Sequence, residues 1–415
     1  MPTPPVDQCS APDLMPVEQA IDTLLSSVEP LSAIESCSVF QAQGRIVAET
    51  VSSAINVPLA NNSAMDGYAL KAADLKQSSS LLLVGSSFAG RPFDGQLQAG
   101  QCIRIMTGGV LPAGADAVVM QENCTANGDT IEFLQAPRSG ENVRYAGEDI
   151  RLGQAVLAQG HKLSAVDIGM LCSIGISQVN VYRRLKVALF STGDELKPPG
   201  TALRPGEIYD SNRPTLHCLL DKMGVEVIDL GVIADHKDQL RDAFLHCDQQ
   251  ADALITSGGV SVGEADYTKE ILQQLGKIGF WKLAMKPGKP FAFGYLPNSY
   301  FFGLPGNPVS ALVTFYQLVV PTLQKIAGMT PLARTRLPAI ASEELRKRPG
   351  RSDFQRGHYW VAANGQIQVR GTGKQGSGIL SSIAQANCFI LLEQQRGDVL
   401  AGENVVIEPY DELLR

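Results

Sequence analysis

The stretches KVALFSTGDEL, residues 186–196, and ALITSGGVSVGEADY, residues 253–267, decide how this chain folds. Each opens on a short apolar run and then breaks into a polar, glycine-bearing loop, as a strand buried on both faces of a parallel sheet does at its end. Between them, Leu216, Leu219, Leu220 and Met223 fall on one helix face, VEVIDLGVI (225–233) reads as a second strand, and Leu240, Ala243, Phe244 and Cys247 mark a second helix. Strand, helix, strand in this order predicts a parallel sheet covered on both sides. The unit closes with YFFGL (300–304) and a helix from Pro308 to about residue 327, opened by Asn307 as N-cap with Pro308 at the first helical position.

Outward from this unit the texture changes. Residues 51–181 are short apolar runs split by Gly, Pro and Asn turn signals, which predicts a β-rich region. Before it, Ile21, Leu24, Leu25 and Val28 form a helical stripe that could pack on a domain or on a second subunit. After Thr330-Pro331 the chain is strand-like again, and Asn364-Gly365, between residues 359–363 and 366–370, reads as a two-residue hairpin turn in a small C-terminal β domain.

The 415 residues are 44% apolar and 19% charged, a globular balance at a length that predicts several domains. With 35 Lys+Arg against 42 Asp+Glu the net charge is −7, so a nucleic-acid partner is not expected and any anionic ligand must be met by a local basic cluster. No apolar run approaches the roughly 18 residues of a membrane span, and the start MPTPPVDQCSAPDL lacks the layout of a secretory signal, which predicts a soluble cytoplasmic protein without a membrane partner. The eight cysteines are scattered without a C-x-x-C pair, and the five histidines sit in no nucleophile motif. A thiolate zinc site, a disulfide framework and covalent catalysis are therefore not expected.

Ligands of open α/β sheets bind beyond the carboxyl ends of the strands. Ser257, Gly258, Gly259 and Ser261 would allow close backbone approach and supply hydroxyl donors, although the same loop reads equally as an ordinary strand-to-helix turn. Asp266 could be an N-cap, and Glu195 is similarly ambiguous. Clustered at adjacent strand ends, the two could hold a divalent cation that bridges phosphate oxygens, with Asp235 as a further ligand. In KLAMKPGKP, Lys282 and Lys286 would share one face of an extended segment. The basic residues Arg346, Lys347, Arg348, Arg351 and Arg356 read mostly as a solvated face. Residues 303–308, GLPGNP, with Pro305, Gly306, Asn307 and Pro308, form a helix start and a rigid wall. Asp66-Gly67 in NNSAMDGYAL reads as a hairpin turn, and RIMTGG places Thr107 in the loop after a strand.

Read together and in order, NSAMDGYA, RIMTGG, GEDI, FSTGDEL, SGGVSVGEADY, WKLAMKPGKP and GLPGNPVSA resemble the molybdopterin molybdenumtransferase family of molybdenum cofactor biosynthesis, which is similar to the catalytic C-terminal part of gephyrin. The resemblance runs from about Met15 to the C-terminus. It implies a reaction of adenylylated molybdopterin with molybdate that yields molybdenum cofactor and AMP and depends on Mg(2+). It implies metal ligation among Glu195, Asp235 and Asp266, and places Lys282, Lys286, Arg356 and Ser377 at positions associated with molybdate or the terminal phosphate. Asp66, Thr107 and Asp149 match positions lining the same cleft, and Pro305 and Pro308 shape its wall. Relatives often carry two consecutive acids where this chain has Asp235-His236, which puts a metal role for position 236 in doubt.

The implied fold is multi-domain α/β plus β: an elongated domain from residues 8–50 with 150–183, a β-rich domain at 51–149, a parallel-sheet α/β molybdopterin-binding domain at 184–331 and a C-terminal β-barrel-like domain at 332–415. A homodimer is expected, with transient contacts to the molybdopterin adenylyltransferase and to molybdoenzymes. Two other functions remain open. A deamidase of nicotinamide nucleotides would share the α/β domain but lack NSAMDGYA and the C-terminal β domain. A non-catalytic carrier or scaffold would have no reason to keep Asp66, Glu195 and Asp266.

Overall fold

The computed structural model describes residues 14–259, 267–331 and 333–415. They form two compact units, one made of the chain up to Glu35 with Gly44–Ile46 and Tyr182–Arg415, the other of Ser36–Gln43 and Val47–Val181.

In the first unit a six-stranded sheet runs in the order Glu226–Ile233, Lys186–Thr192, Ala253–Ser257, Tyr300–Leu304, Pro290–Tyr295, Lys277–Lys282. The first four strands are mutually parallel, as the alternation of strand and helix predicts. The last two are antiparallel, a departure that follows from short connections, which reverse a chain but cannot cross over it. The period of two sorts the central strand onto two cores: Val187 and Leu189 meet Leu216, Leu220, Ile255 and Val313 on one face, while Ala188 and Phe190 meet Leu240, Phe244, Leu254 and Ile271 on the other. Each such side chain contributes roughly 1.5–3 kcal/mol on burial, which explains why these runs read as strands buried on both faces.

The helix Val17–Ser27 buries Val17, Ala20 and Leu24 in the first of these cores, with Ile21 partly buried beside them. Tyr295 Oη donates to the Ser27 carbonyl at 2.7 Å, Lys325 Nζ to that of Leu25 at 2.6 Å, and the Leu31 N–H to that of Ile326 at 2.8 Å. Of the two places the stripe could pack, it takes the α/β core of its own chain. The long helix expected from Pro308 exists but is not uniform: Pro308–Thr314 and Val320–Ile326 are α-helical and Phe315–Val319 is a π-turn. Pro321 supplies the reason, because proline has no N–H for the usual bond and its ring crowds the preceding turn.

A second six-stranded sheet in this unit runs Met285–Lys286, Ser352–Val361, Ile367–Gly371, Leu337–Ala341, Asn404–Pro409, Cys388–Leu392 and closes into a barrel because Ser352–Val361 also pairs with Cys388–Leu392. Closure leaves the five strands other than Met285–Lys286 no open edge around Ala339, Val369, Cys388, Ile390 and Ile407. The expected hairpin is present, but its ladder ends at Val361 with Ile367, and Ala362 N–H donates to the Gln366 carbonyl, so the turn is longer than two residues, with Gly365 at φ 81°.

The second unit contains a half-barrel sheet in the order Ala117–Met120, Gly67–Leu70, Gln101–Ile105, Ser80–Ser87, Thr130–Phe133, Cys124–Asn127. A separate core holds Val39, Val47, Ile150, Leu163, Leu171 and Val181 beneath the helix Ala165–Ser173, whose start is secured by a capping box of Ser164 and Asp167. Asp66-Gly67 is not a hairpin turn. Gly67 is a ladder residue paired with both Ile105 and Met120, and a Cβ there would stand 1.9 Å from the Val119 carbonyl oxygen. The glycine serves a close approach of strands, which spacing in the sequence does not reveal.

Candidate functional site

The strands Lys186–Thr192, Ala253–Ser257 and Tyr300–Leu304 end together at a cleft of about 1020 Å³. Its described wall brings together Glu195, Asp235, Ser257, Gly258, Gly259, Pro305, Gly306, Asn307 and Pro308 from the sequence reading, and adds Thr192, Asp210, Ser211, Asn212 and Gly378. Ser261 and Asp266 lie outside the described residues.

The glycine loop is built for close packing. Gly258 has φ +93° with its missing Cβ 2.6 Å from the Thr192 carbonyl, and Gly259 has φ +68° with its missing Cβ 2.5 Å from Thr268 Oγ1. Only glycine fits such positions, and the Gly258 N–H donates to the Leu304 carbonyl at 3.1 Å, which ties the loop to the neighbouring strand end. Thr192 Oγ1, in the cleft wall, is buried without a hydrogen-bond partner among the described residues. A buried hydroxyl left unpaired costs about 1–3 kcal/mol, a penalty that a bound polar group would relieve.

Asn212 was not found by sequence reasoning. Its Nδ2 donates to Ser257 Oγ at 2.8 Å and to the Gly306 carbonyl at 2.7 Å, tying two loops of the cleft to each other. Behind it, buried Asp210 accepts from the Arg213 N–H at 3.2 Å and Nε at 3.0 Å, and from Ser191 Oγ at 3.3 Å. The polar run Tyr-Asp-Ser-Asn just before the Leu216 stripe was the available signal, and it reads locally as no more than a helix start.

The acidic side of the cleft is Glu195 with Asp235, and Asp194 stands beside them, accepting from the Asp235 N–H at 3.3 Å. Burial, then the charges of Asp194 and Glu195, push the Asp235 carboxyl up, while His236 acts in the opposite sense. Among the described residues no three His, Cys, Asp or Glu side chains form a metal-holding group. The mutual repulsion of these carboxylates is nonetheless what a hard divalent cation would neutralise.

The basic residues are placed differently from the sequence reading. Lys282 ends a strand of the α/β sheet and Lys286 lies in a strand of the barrel, so they do not share one face of a single extended segment. The chain turns between them: Leu283 N–H donates to the Lys289 carbonyl at 2.8 Å, and buried Leu283 and Ala284 fill the interior. The described cleft wall contains neither lysine. Arg356 is not part of a solvated face but 0% exposed. Its guanidinium donates to Ser382 Oγ at 3.0 Å and to the Gly376 carbonyl at 3.2 Å, and desolvation lowers its pKa. It thereby organises the loop that carries Ser377, whose carbonyl accepts from the Val309 N–H at 2.9 Å, next to Gly378 in the cleft wall.

In the second unit Asp66 and Thr107 are joined. The Asp66 carboxylate accepts from the Thr107 N–H at 2.7 Å and from its hydroxyl at 2.8 Å, and these bonds, with the charge of Arg104, hold the carboxyl below its usual value. Asp149 is exposed on another loop, its N–H donating to the Val57 carbonyl at 3.0 Å.

A doubly covered α/β sheet with a cleft at its strand ends, followed by a closed barrel that lends that cleft a loop, defines a multi-domain α/β protein with a ligand-sized cleft. Residues 15–175 match the MoeA N-terminal region (domain I and II), 188–325 the "Probable molybdopterin binding domain" and 338–410 the MoeA C-terminal region (domain IV). The chain is 49% identical over 403 residues to the molybdopterin molybdenumtransferase of Haemophilus influenzae, covering 97% of this chain and 100% of that one. It is 31% identical to gephyrin of Dictyostelium discoideum over 95% of its own length and 62% of gephyrin's. The crystal structure of the molybdopterin biosynthesis MoeA protein of Pyrococcus horikoshii superposes with a TM-score of 0.83 at 29% identity, covering 96% of this chain and 100% of that one. The chain belongs to the molybdopterin molybdenumtransferase family, a transferase family of molybdenum cofactor biosynthesis.

Proposed function

We propose that this protein inserts molybdenum from molybdate into adenylylated molybdopterin, releasing AMP and forming molybdenum cofactor in a Mg(2+)-dependent reaction. The cleft carries the proposal, because it faces a glycine loop and a rigid Pro305–Pro308 wall toward a space that also receives the Glu195 and Asp235 carboxylates. The glycine loop would let phosphate oxygens approach closely and the Ser257 hydroxyl would bind them, with Asn212 holding Ser257 in place. Glu195 and Asp235, with Asp266 as the remaining proposed ligand, would hold Mg(2+), which when bound neutralises pyrophosphate charge and favours attack by water. Lys282, Lys286 and Ser377 are assigned to molybdate, a dianion suited to fixed cations and a hydroxyl donor. Asp66, Thr107 and Asp149 would serve the same substrates, and a homodimer would be the working form. Purified protein incubated with adenylylated molybdopterin, molybdate and Mg(2+) should release AMP in proportion to cofactor formed. Absence of molybdate-dependent AMP would overturn the proposal.

A further inference from the structure

Lys286 meets the barrel through a two-residue parallel pairing, Met285 with Ser352 and Lys286 with Asp353. Asp353 is 2% exposed, yet its partner lysine keeps 41% of its side chain exposed, so the ammonium caps the outer end of a buried carboxylate. Asp353 Oδ2 accepts from Lys286 Nζ at 2.9 Å and from Gln355 Nε2 at 3.2 Å, while Oδ1 is buried with no hydrogen-bond partner among the described residues. A carboxylate in such a place is unfavourable unless it is closely paired.

Two further cations, Lys347 and Arg356, act on Asp353, but their donors are engaged elsewhere. Lys347 Nζ reaches the carbonyls of Arg396, Gln394 and Arg348 at 2.8, 3.2 and 3.4 Å, and Arg356 is bound to Ser382 and Gly376. Lys286 is therefore the cation that Asp353 holds at the surface. A free lysine samples many rotamers, and fixing one ammonium proton on a rigid carboxylate leaves the other two in a defined direction.

We propose that Asp353 is a positioning residue that fixes the Lys286 ammonium for the incoming oxyanion, an inference that rests on the assignment of Lys286 to molybdate. Asp353 touches no substrate. It offsets part of the lysine charge, and the return is a preorganised donor.

The test measures molybdate-dependent AMP release and molybdate binding by calorimetry. Asp353→Asn should raise half-saturating molybdate about tenfold, the size of one charge-assisted bond, with kcat at saturating molybdate within about twofold. Asp353→Glu, which keeps the charge on a longer stem, should recover most of that affinity and guards against a variant that fails to fold. In a Lys286→Ala background, Asp353→Asn should add nothing further. Unchanged half-saturation in Asp353→Asn, or a full additional loss in the Lys286→Ala background, overturns the inference while leaving the lysine assignment standing. No change in Lys286→Ala itself overturns the assignment and the inference with it.

Discussion

Asp235 sits where its ionised form is disfavoured, by burial first and by Asp194 and Glu195 next. Because the folded pKa is raised, ionising this group costs stability: the penalty grows as pH rises from the ordinary carboxylate value of 3.8 and is complete once pH has passed the raised one. Asp235→Asn should therefore raise Tm at pH 7 in chelator, and Mg(2+) should raise the Tm of the wild type more than that of the variant. A lower Tm for the variant in chelator would show that the carboxylate is satisfied without a cation. Arg356 makes the opposite case, a buried cation whose geometry and not its charge alone is used. Arg356→Lys cannot span Ser382 Oγ and the Gly376 carbonyl together, so urea unfolding should show a loss on the order of 3 kcal/mol. Lys282→Ala and Lys286→Ala should each raise half-saturating molybdate on the order of tenfold to a hundredfold, with weaker effects on binding of the adenylylated pterin, which is read by titrating each substrate separately.

At the scale of elements, the helix Val17–Ser27 and the loop that follows the strand Ala253–Ser257 each carry a prediction. Leu24 is 0% exposed within the α/β core, so Leu24→Ala should cost about 2–5 kcal/mol. Since that packing lies within one chain, the loss should not vary with protein concentration. A concentration-dependent loss would place the helix against a second chain. Gly258→Ala would put a methyl group against the Thr192 carbonyl at a φ of +93°, and activity should fall even where circular dichroism shows the fold retained. Two helix faces of the α/β unit were legible beforehand: Leu216, Leu219, Leu220, Leu240, Ala243, Phe244 and Cys247 are buried as their spacing implies, and Met223 is partly buried. Gly67 was not legible, because its role depends on Val119, far along the chain, crossing at 1.9 Å from the missing Cβ.

For the whole molecule, AMP release should be lost in excess chelator and return with Mg(2+), since cleavage of a pyrophosphate needs its charge neutralised. Full molybdate-dependent activity under chelation would remove the metal from the proposed reaction. No helix among the described residues is long and apolar enough to cross a membrane. Light scattering should give about twice the 44.4 kDa of one chain if the proposed homodimer forms.

Spacing along the chain by itself determined the parallel core of the α/β sheet, its helix faces, the glycine loop at residues 257–259 and the Pro305–Pro308 wall, because periods of two and of 3.6 and the φ demands of glycine are local properties of the backbone. Tertiary structure alone decided the rest of the site. Arg356 looks solvated in a basic run yet is buried, Lys286 finds Asp353 only when two strands of the barrel pair, and Asn212 bridges Ser257 and Gly306 only once three strand ends converge. A side chain's partners depend on which strands become neighbours, and neighbours in a sheet are set by packing of the whole core, which no local pattern encodes.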